Sequence, residues 1–345
     1  MTLGEGCGVL ASFGTLGAPG AIMVPHVTVI VCTRDRAAQL EACLDAVARQ
    51  SYPRFDMLVV DNGSTEPVND ICRRRGAACI SEPVAGLTKA RNLGARAARG
   101  EIVAYIDDDA IAEPGWLAAL AREFDDAVVA AVAGRTRYMK AEGASLRMSG
   151  DDAPDEVEAR PHRGFDRDTR DWFTLACFGR IGDGNTMAFR RSVLTSSVRF
   201  DERLGRGRLV ESGDEHVAFM SLISDGHRVM HAPEAVVRHP APGEPALRLV
   251  KRYRDLRASI AYAIFLWCQF PGHRWDLARF FGRALRRRVP GSAAAAPAAA
   301  GLSRFQIMAA VCGAIGIYWK ARQEWLPRTP VAGSDTVTPR VVTLR

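Results

Sequence analysis

Asp107-Asp108-Asp109 is the run most able to do chemistry in this chain. Neighbouring carboxylates repel, and each raises the cost of ionising the next. A divalent cation among them relieves that repulsion. Hard oxygen ligands suit Mg²⁺ or Mn²⁺, and such ions commonly share their shell with phosphate oxygens. The run therefore points to a metal–diphosphate site. Other polar clusters stand far from it in sequence: Thr33-Arg34-Asp35-Arg36, Asp61-Asn62-Gly63-Ser64, Gly182-Asp183-Gly184-Asn185, Gly213-Asp214-Glu215 and His239-Pro240. Only a fold can bring such groups together.

Most of these clusters follow an apolar run. His26 to Cys32, Phe55 to Val60 and Ile102 to Ile106 are rich in β-branched residues and read as buried strands. Between them lie helical spacings: Leu40, Cys43, Leu44 and Val47, then a short helix over 68–75, then one opened by Gly86-Leu87 with Leu93, Ala97 and Ala98. Ala78-Cys79-Ile80 reads as a further strand. Alternating strands and helices predict a doubly wound, mostly parallel α/β sheet, in which ligands bind at the carboxyl ends of the strands. Those ends carry Thr33 and Asp35, Asp61 and Asn62, and the three aspartates. Further on, helices are expected from Pro114 and over 214–225. Strands are expected at 128–132, 187–189, 228–230 and 235–237. Residues 139–169 read as a polar, irregular, mobile insertion. Trp116 and Trp172 read as core aromatics, with sugar stacking as the alternative.

The chain has 345 residues, 48% apolar, enough for a sizeable core. Its net charge of +7 hides an asymmetry: residues 245–345 hold 17 Lys/Arg against 4 Asp/Glu, and residues 1–244 hold 29 against 35. A stretch from about Leu247 to Leu326 is helical and amphipathic by spacing, with Leu247, Leu249, Val250, Leu256 and Ile260 interleaved with arginines; 292–300 is an Ala-rich linker. That pattern suits an anionic membrane surface, or packing on the rest of the chain. No run is long and apolar enough for a transmembrane helix. The eight cysteines include no C-x-x-C pair and read as free thiols in a reducing compartment. The expected division is a disordered leader over 1–24, a catalytic domain over 25–243, a basic helical extension over 244–328 and a disordered tail over 329–345. The expected location is cytoplasmic, with peripheral attachment at the inner face of the plasma membrane.

VTVIVCTRDR (27–36), VVDNGS (59–64), GLTKARNLG (86–94), IDDDA (106–110), GDGNTMAFRR (182–191), GDEHVAF (213–219) and VRHP (237–240) together resemble a family 2 glycosyltransferase of the GT-A fold. The motifs fall in that family's order over about residues 26–240. The resemblance implies an inverting, metal-dependent transfer of a sugar from a nucleotide-sugar, UDP- or GDP-linked, to a hydroxyl acceptor that is lipid-linked or a cell-envelope glycan. It implies that Thr33, Arg34, Asp35, Asp61 and Asn62 hold the nucleoside, and that Lys89 and Arg91 stand near the diphosphate or a neighbouring carboxylate. Asp109 is then a ligand of Mg²⁺ or Mn²⁺, Asp107 or Asp108 contacts ribose or metal, and His239 completes the metal shell. Gly184 and Asn185 would face the donor sugar. Glu215 takes the position of the catalytic base and Asp214 supports it or touches the acceptor. The family's usual Glu-Asp order is reversed here, which leaves Asp214 as an alternative base.

Two other classes lose support. A sugar-nucleotide nucleotidyltransferase would carry a Gly-rich phosphate loop after the first strand, where this chain has Thr33-Arg34-Asp35-Arg36; a dinucleotide oxidoreductase would carry G-x-G-x-x-G there. A non-catalytic nucleotide-sugar-binding module shares the same donor residues and is separated by turnover. No stacking motif favours nucleic acid as a partner of the basic region.

Overall fold

The computed structural model describes residues 24–142, 145–147, 161–196, 200–240, 245–286 and 302–325. Apart from Val24, the expected leader and tail lie outside these residues, as does the Ala-rich linker.

Strand β1 (Val27–Thr33) is buried along nearly its whole length, as its unbroken β-branched run requires of a strand covered on both faces. Helix α1 (Ala37–Ala48) returns the chain to β2 (Phe55–Asp61), and α2 (Asn69–Arg74) leads to β3 (Ala78–Ser81). Helix α3 (Leu87–Ala97) then carries the chain back across the sheet to β4 (Ile102–Asp107). The order β3-β2-β1-β4 is parallel throughout, in register with Cys32 opposite Asp107 and Thr33 opposite Asp61. The strand order reverses between β1 and β4. Such a switch point leaves a crevice at the carboxyl ends of the two strands, because their connections leave in opposite directions. Thr33 and Asp107 mark those ends.

The second half of the sheet is mixed. After β5 (Ile111–Ala112) and α4 (Trp116–Arg122) come β6 (Val129–Glu142), β7 (Ser145–Arg147), β8 (Arg163–Phe165), α5 (Trp172–Cys177) and β9 (Thr186–Arg190). Strand β9 runs antiparallel between β4 and β6. Helices α6 (Arg191–Ser196) and α7 (Asp214–Ser224) precede β10 (Arg228–Pro240), which is parallel to β6 and antiparallel to β5 and β8. Two expectations are corrected here. The segment 139–169 contains the end of β6 together with β7 and β8, so in its described part it is not an irregular insertion. The two short strands expected at 228–230 and 235–237 are one strand with a register shift between His231 and Val236, an irregularity that re-aims the residues beyond it.

One apolar core lies on each side of the sheet. Leu40, Cys43 and Leu44 of α1 and Trp116, Leu117 and Leu120 of α4 fill one side. On the other, α3, α5 and α7 share a core with the C-terminal helices α8 (Pro245–Gln269), α9 (Arg274–Arg286) and α10 (Arg304–Trp325). Tyr262, Phe265 and Leu266 of α8, Leu277 of α9 and Tyr318 of α10 are buried there. The apolar positions of the basic region thus pack in part on the sheet unit, one of the two uses their spacing allowed. Cys268 and Cys312 are exposed; the other described cysteines are buried or half-buried, and all are free. No helix among the described residues is long and apolar enough to cross a membrane.

Candidate active site

The acidic run sits at the switch point, and each of its members has a different partner. Asp108 turns back under β1: its Oδ2 accepts the Thr33 hydroxyl at 2.8 Å, and its Oδ1 accepts Arg36 Nη1 at 2.9 Å. Asp109 Oδ2 accepts the same Arg36 nitrogen at 2.7 Å, while its Oδ1 faces His239 Nε2 at 3.0 Å. Asp107 Oδ1 lies 3.6 Å from Arg91 Nη2. Burial pushes the Asp107 carboxyl above its ordinary range, with Arg91 pulling it back, and burial does the same to Asp108 against the Thr33 hydrogen bond. Asp109 moves the other way: burial opposes its charge, but the imidazole of His239 outweighs it.

His239 reaches this point through strand pairing. Val237 opposes Ala112 and Arg238 opposes Ile111, so the chain leaving Asp109 into β5 runs beside the end of β10. His239 Nδ1 lies 2.9 Å from the Pro240 carbonyl oxygen. A proton on Nδ1 satisfies that carbonyl, and when Nε2 gives up its own proton its lone pair faces the acids, the arrangement metal-binding histidines ordinarily have. One ligand atom from each of Asp107, Asp109 and His239 falls within 4.8 Å of the others. Two carboxylate oxygens and an imidazole nitrogen form a donor set that fits Mn²⁺ or Mg²⁺.

Arg91 ties the acidic run to a second acidic group. It projects from the first turns of α3 and is 4% exposed. Nη1 donates to Asp214 Oδ2 at 2.6 Å and Nη2 to the Gly184 carbonyl at 2.8 Å. Burial opposes its charge, but Asp214, Asp107 and Glu215 outweigh burial and hold the guanidinium more firmly protonated. Arg91→Met is expected to cost about 3–5 kcal/mol, because it leaves Asp214 buried without its cation. Arg91→Lys restores the charge but not the fork that spans two acceptors, so partial recovery is expected. Urea unfolding of the two variants checks both statements.

Glu215 follows Asp214 in the first turn of α7, and its side chain is 17% exposed. Burial, then the charge of Asp214, pushes its carboxyl well above the ordinary range. Gly184 lies over it: a Cβ there would sit 3.1 Å from Arg91 Nη2 and 3.3 Å from the Glu215 carboxyl carbon. A side chain at this position would press on both groups, which would have to give by a few tenths of an ångström. Asn185 is buried, takes the Thr136 hydroxyl on its Oδ1 at 2.8 Å, and offers its carbonyl to the Asp107 amide. The loop over 182–185 therefore joins the acidic run to the acid pair through its backbone.

An open cleft of about 210 Å³ lies over these groups. Thr33, Arg34, Arg36, the three aspartates and His239 line it on the sheet side, and Arg206 and Gly207 face it from the loop before α7.

The sequence model for Glycosyl transferase family 2 matches residues 28–196, which hold the parallel half of the sheet and the acidic run. Residues 28–196 form a glycosyl transferase family 2 domain. Over 102 residues the chain is 34% identical to the glycosyltransferase AglE of Haloferax volcanii, covering 27% of this chain and 34% of that relative, so it spans about a third of that protein's length. It is 25% identical to the glucosyl-dolichyl phosphate glucuronosyltransferase of the same organism over 232 residues, 62% of this chain and 68% of the relative. Among solved structures, the mannosyltransferase PcManGT from Pyrobaculum calidifontis, determined with GDP-Man and Mn²⁺, superposes with a TM-score of 0.55 at 21% identity, over 88% of this chain and 89% of that one. That likeness gives the fold: a GT-A sheet with a helical C-terminal region.

Within this family 2 domain, the residues picked from sequence separate into three groups. Thr33, Arg34, Asn62, Asp107, Asp108, Asp109 and His239 share the cleft, and Arg91, Gly184, Asn185, Asp214 and Glu215 adjoin it. Asp61, Asn62 and Asp35 shape its rim. Asp61 Oδ1 accepts the Ser64 amide at 3.0 Å, and Asp35 takes the Thr65 amide at 2.7 Å. Asn62 spends its whole amide on backbone, donating to the Glu82 and Val84 carbonyls and accepting from Gly86. Lys89 stands apart and pairs with Glu202 at 3.3 Å. Trp116 is fully buried, with its indole N–H on Thr186, and Trp172 packs against Phe173 and His273; both are structural.

Arg36, Arg206 and Gly207 were not singled out from sequence. The signal for Arg206 and Gly207 was present in Gly205-Arg206-Gly207-Arg208, a basic run punctuated by glycines, which is a composition suited to an anion. The Arg206 carbonyl accepts the Leu87 amide at 3.1 Å, which fastens this loop to the start of α3.

Proposed function

We propose that the protein is an inverting, metal-dependent glycosyltransferase that moves a sugar from a UDP- or GDP-sugar to a hydroxyl acceptor, lipid-linked or part of a cell-envelope glycan. The observation that carries this reading is the junction at Arg91: one buried guanidinium donates to Asp214 of the acid pair of α7 and stands 3.6 Å from the acidic run at the switch point. Donor-side and acceptor-side groups are thereby fixed relative to one another, as a single in-line displacement needs.

Thr33 and the 61–65 turn would hold the nucleoside at the rim. Arg206 would face the diphosphate across the cleft. Asp109, Asp107 and His239 would hold Mg²⁺ or Mn²⁺, which when bound neutralises charge on the leaving diphosphate. Glu215 would accept the acceptor hydroxyl's proton as the oxygen attacks the anomeric carbon. Asp214, held by Arg91, would position Glu215 and the Gly184 carbonyl. The basic C-terminal helices favour work at an anionic membrane, peripheral to the cytoplasmic face, where a lipid-linked acceptor would be presented.

Assay of a panel of UDP- and GDP-sugars with Mn²⁺ tests the reading. Release of nucleoside diphosphate from one donor, abolished by a chelator, is the expected result. Binding of a donor with no turnover against any hydroxyl acceptor would instead make the chain a nucleotide-sugar-binding module. His239→Ala is expected to raise the Mn²⁺ concentration giving half-maximal activity by about tenfold or more. An unchanged metal titration removes His239 from the ligand set.

A further inference from the structure

Helix α10 is apolar on two faces. Ala310, Ala314, Tyr318 and Ala321 are buried, the last three of them in the core shared with α8. Phe305, Met308, Cys312, Ile315 and Trp319 are exposed. Their intervals of three, four, three and four place them on a single stripe of an α-helix, about 21 Å long at 1.5 Å per residue. Phe305 is 83%, Met308 63% and Trp319 54% exposed. Such exposure is concentrated rather than scattered. Of the twelve large apolar side chains exposed among the described residues, nine fall between Leu249 and Trp319. A contiguous exposed apolar surface of this kind marks an interaction site.

The charges around the stripe choose its occupant. Arg304 stands at one end, Lys320 and Arg322 at the other, and all three are exposed. The Arg322 guanidinium lies 5.2 Å over the Trp319 ring. Pairing with a second copy of the helix would set these cations against one another. In parallel pairing each end meets itself, and in antiparallel pairing Arg304 meets Lys320 and Arg322. The one carboxylate of α10, Glu324, is exposed a turn beyond Lys320 but lies about 150° round the helix from the stripe, and the flanking Ala309, Val311 and Gly316 carry no charge, so the repulsion along the stripe is not relieved. An anionic lipid surface attracts the same cations. Tryptophan at such a boundary is at home in the headgroup region, and phenylalanine and methionine in the acyl edge below it.

We propose that the exposed stripe of α10 is the face on which the protein lies against an anionic lipid bilayer, with the helix axis in the membrane plane and Phe305, Met308, Ile315 and Trp319 entering the headgroup–acyl boundary. In this role α10 rests on the membrane-proximal reading given above and names the residues that carry it. The basic side chains at the helix ends stay at the level of the lipid phosphates.

Flotation of the full chain with vesicles of equal parts phosphatidylglycerol and phosphatidylcholine, and with vesicles of phosphatidylcholine alone, tests the stripe. The wild-type chain is expected to float with the anionic vesicles only, less so at high salt, with a blue shift of tryptophan emission. Phe305→Ser, Met308→Ser and Trp319→Ser combined are expected to lower the bound fraction by about tenfold or more without changing thermal unfolding, since the replaced side chains are exposed. Arg304→Glu with Lys320→Glu is expected to remove the preference for anionic vesicles. Equal flotation of wild type and the triple variant overturns the assignment, as does a wild-type chain that floats with neither vesicle. So does a wild-type dimer in sedimentation that the triple variant converts to monomer, which gives the stripe to a second copy. Flotation needs no turnover, so absence of sugar transfer under every condition would sink the proposed reaction and leave this result standing.

Discussion

Glu215→Gln is expected to lower kcat by about 10²–10⁴-fold, the usual contribution of a positioned general base, while changing the donor KM little. The two members of the acid pair differ in what already occupies them. Asp214 gives one oxygen to Arg91 Nη1 at 2.6 Å and lies 4% exposed beneath the helix start. Glu215 has no arginine on its oxygens and stands below Gly184 at the side of the cleft. Its proton affinity is raised by burial first and by the charge of Asp214 second. A carboxylate so raised is a better proton acceptor near neutral pH than an ordinary one. The sign of the pH dependence follows. The base must be ionised, so kcat/KM rises with pH as Glu215 loses its proton, and this acid limb lies above the ordinary carboxylate range. Asp214→Asn removes a charge and a hydrogen bond that both raise the Glu215 pKa, so the limb is expected to move to lower pH. Near-normal transfer by Glu215→Gln beside an inactive but folded Asp214→Asn would assign the base to Asp214 instead. Since Asp214→Asn also weakens the Arg91 pair, its urea midpoint belongs with the rate.

The site's donor half was legible because buried strands must end. A run such as Ile102 to Ile106 has to leave the sheet, and three carboxylates at that exit have few structural uses. The alternation of elements pointed to a doubly wound sheet, and the reversal of strand order seen in the fold makes that exit a crevice. What could not be read were contacts made by side chains that look solvated in sequence. Arg36 stands in a polar run just before α1 yet binds Asp108 and Asp109 more than seventy positions away. Lys89 and Arg91 share one motif two residues apart. On a helix that separation turns them to different faces, so one meets Glu202 at the rim and the other is buried on Asp214. The fused strand β10 escaped because Ala232-Pro233-Glu234 interrupts its alternation where its pairing with β6 shifts register. The amphipathic spacing of α8 and α10 was visible, but spacing alone does not distinguish a protein core from a lipid surface. Here α10 buries one apolar face in the core and leaves a second one exposed.

The other large effect is expected where α8 meets the base. Gly213 caps α7 with φ +90°, a conformation costly for any residue with a Cβ, and a Cβ built there would overlap the ring of Tyr262. Tyr262 is 3% exposed and comes from α8, so the C-terminal helices press on the turn that delivers Asp214 and Glu215. Gly213→Ala therefore meets two penalties, backbone strain and overlap, and is expected to cost about 2–4 kcal/mol. Tyr262→Ala empties a buried aromatic site and is expected to cost about 3–5 kcal/mol. The two costs should not add. With the ring gone the new methyl group has room, and only the strain of the left-handed backbone remains, about 1–2 kcal/mol. The double variant should then be more stable than the sum of single losses by about 1–3 kcal/mol, which a double-mutant cycle from urea unfolding measures. Tyr262→Phe keeps the ring against Gly213 and should be nearly silent in the same cycle. Activity is expected to follow the geometry as well as the stability. A shift of about 1 Å in the first turn of α7 moves the Glu215 carboxylate off its line of attack, which costs about 10²-fold in kcat. Tyr262→Ala should thus lose kcat at temperatures where it remains folded, with the donor KM held by the distant β1 and β4 strand ends. Additive stabilities with an unchanged kcat would mean that α8 merely covers the core and leaves the placement of Glu215 to α7 alone.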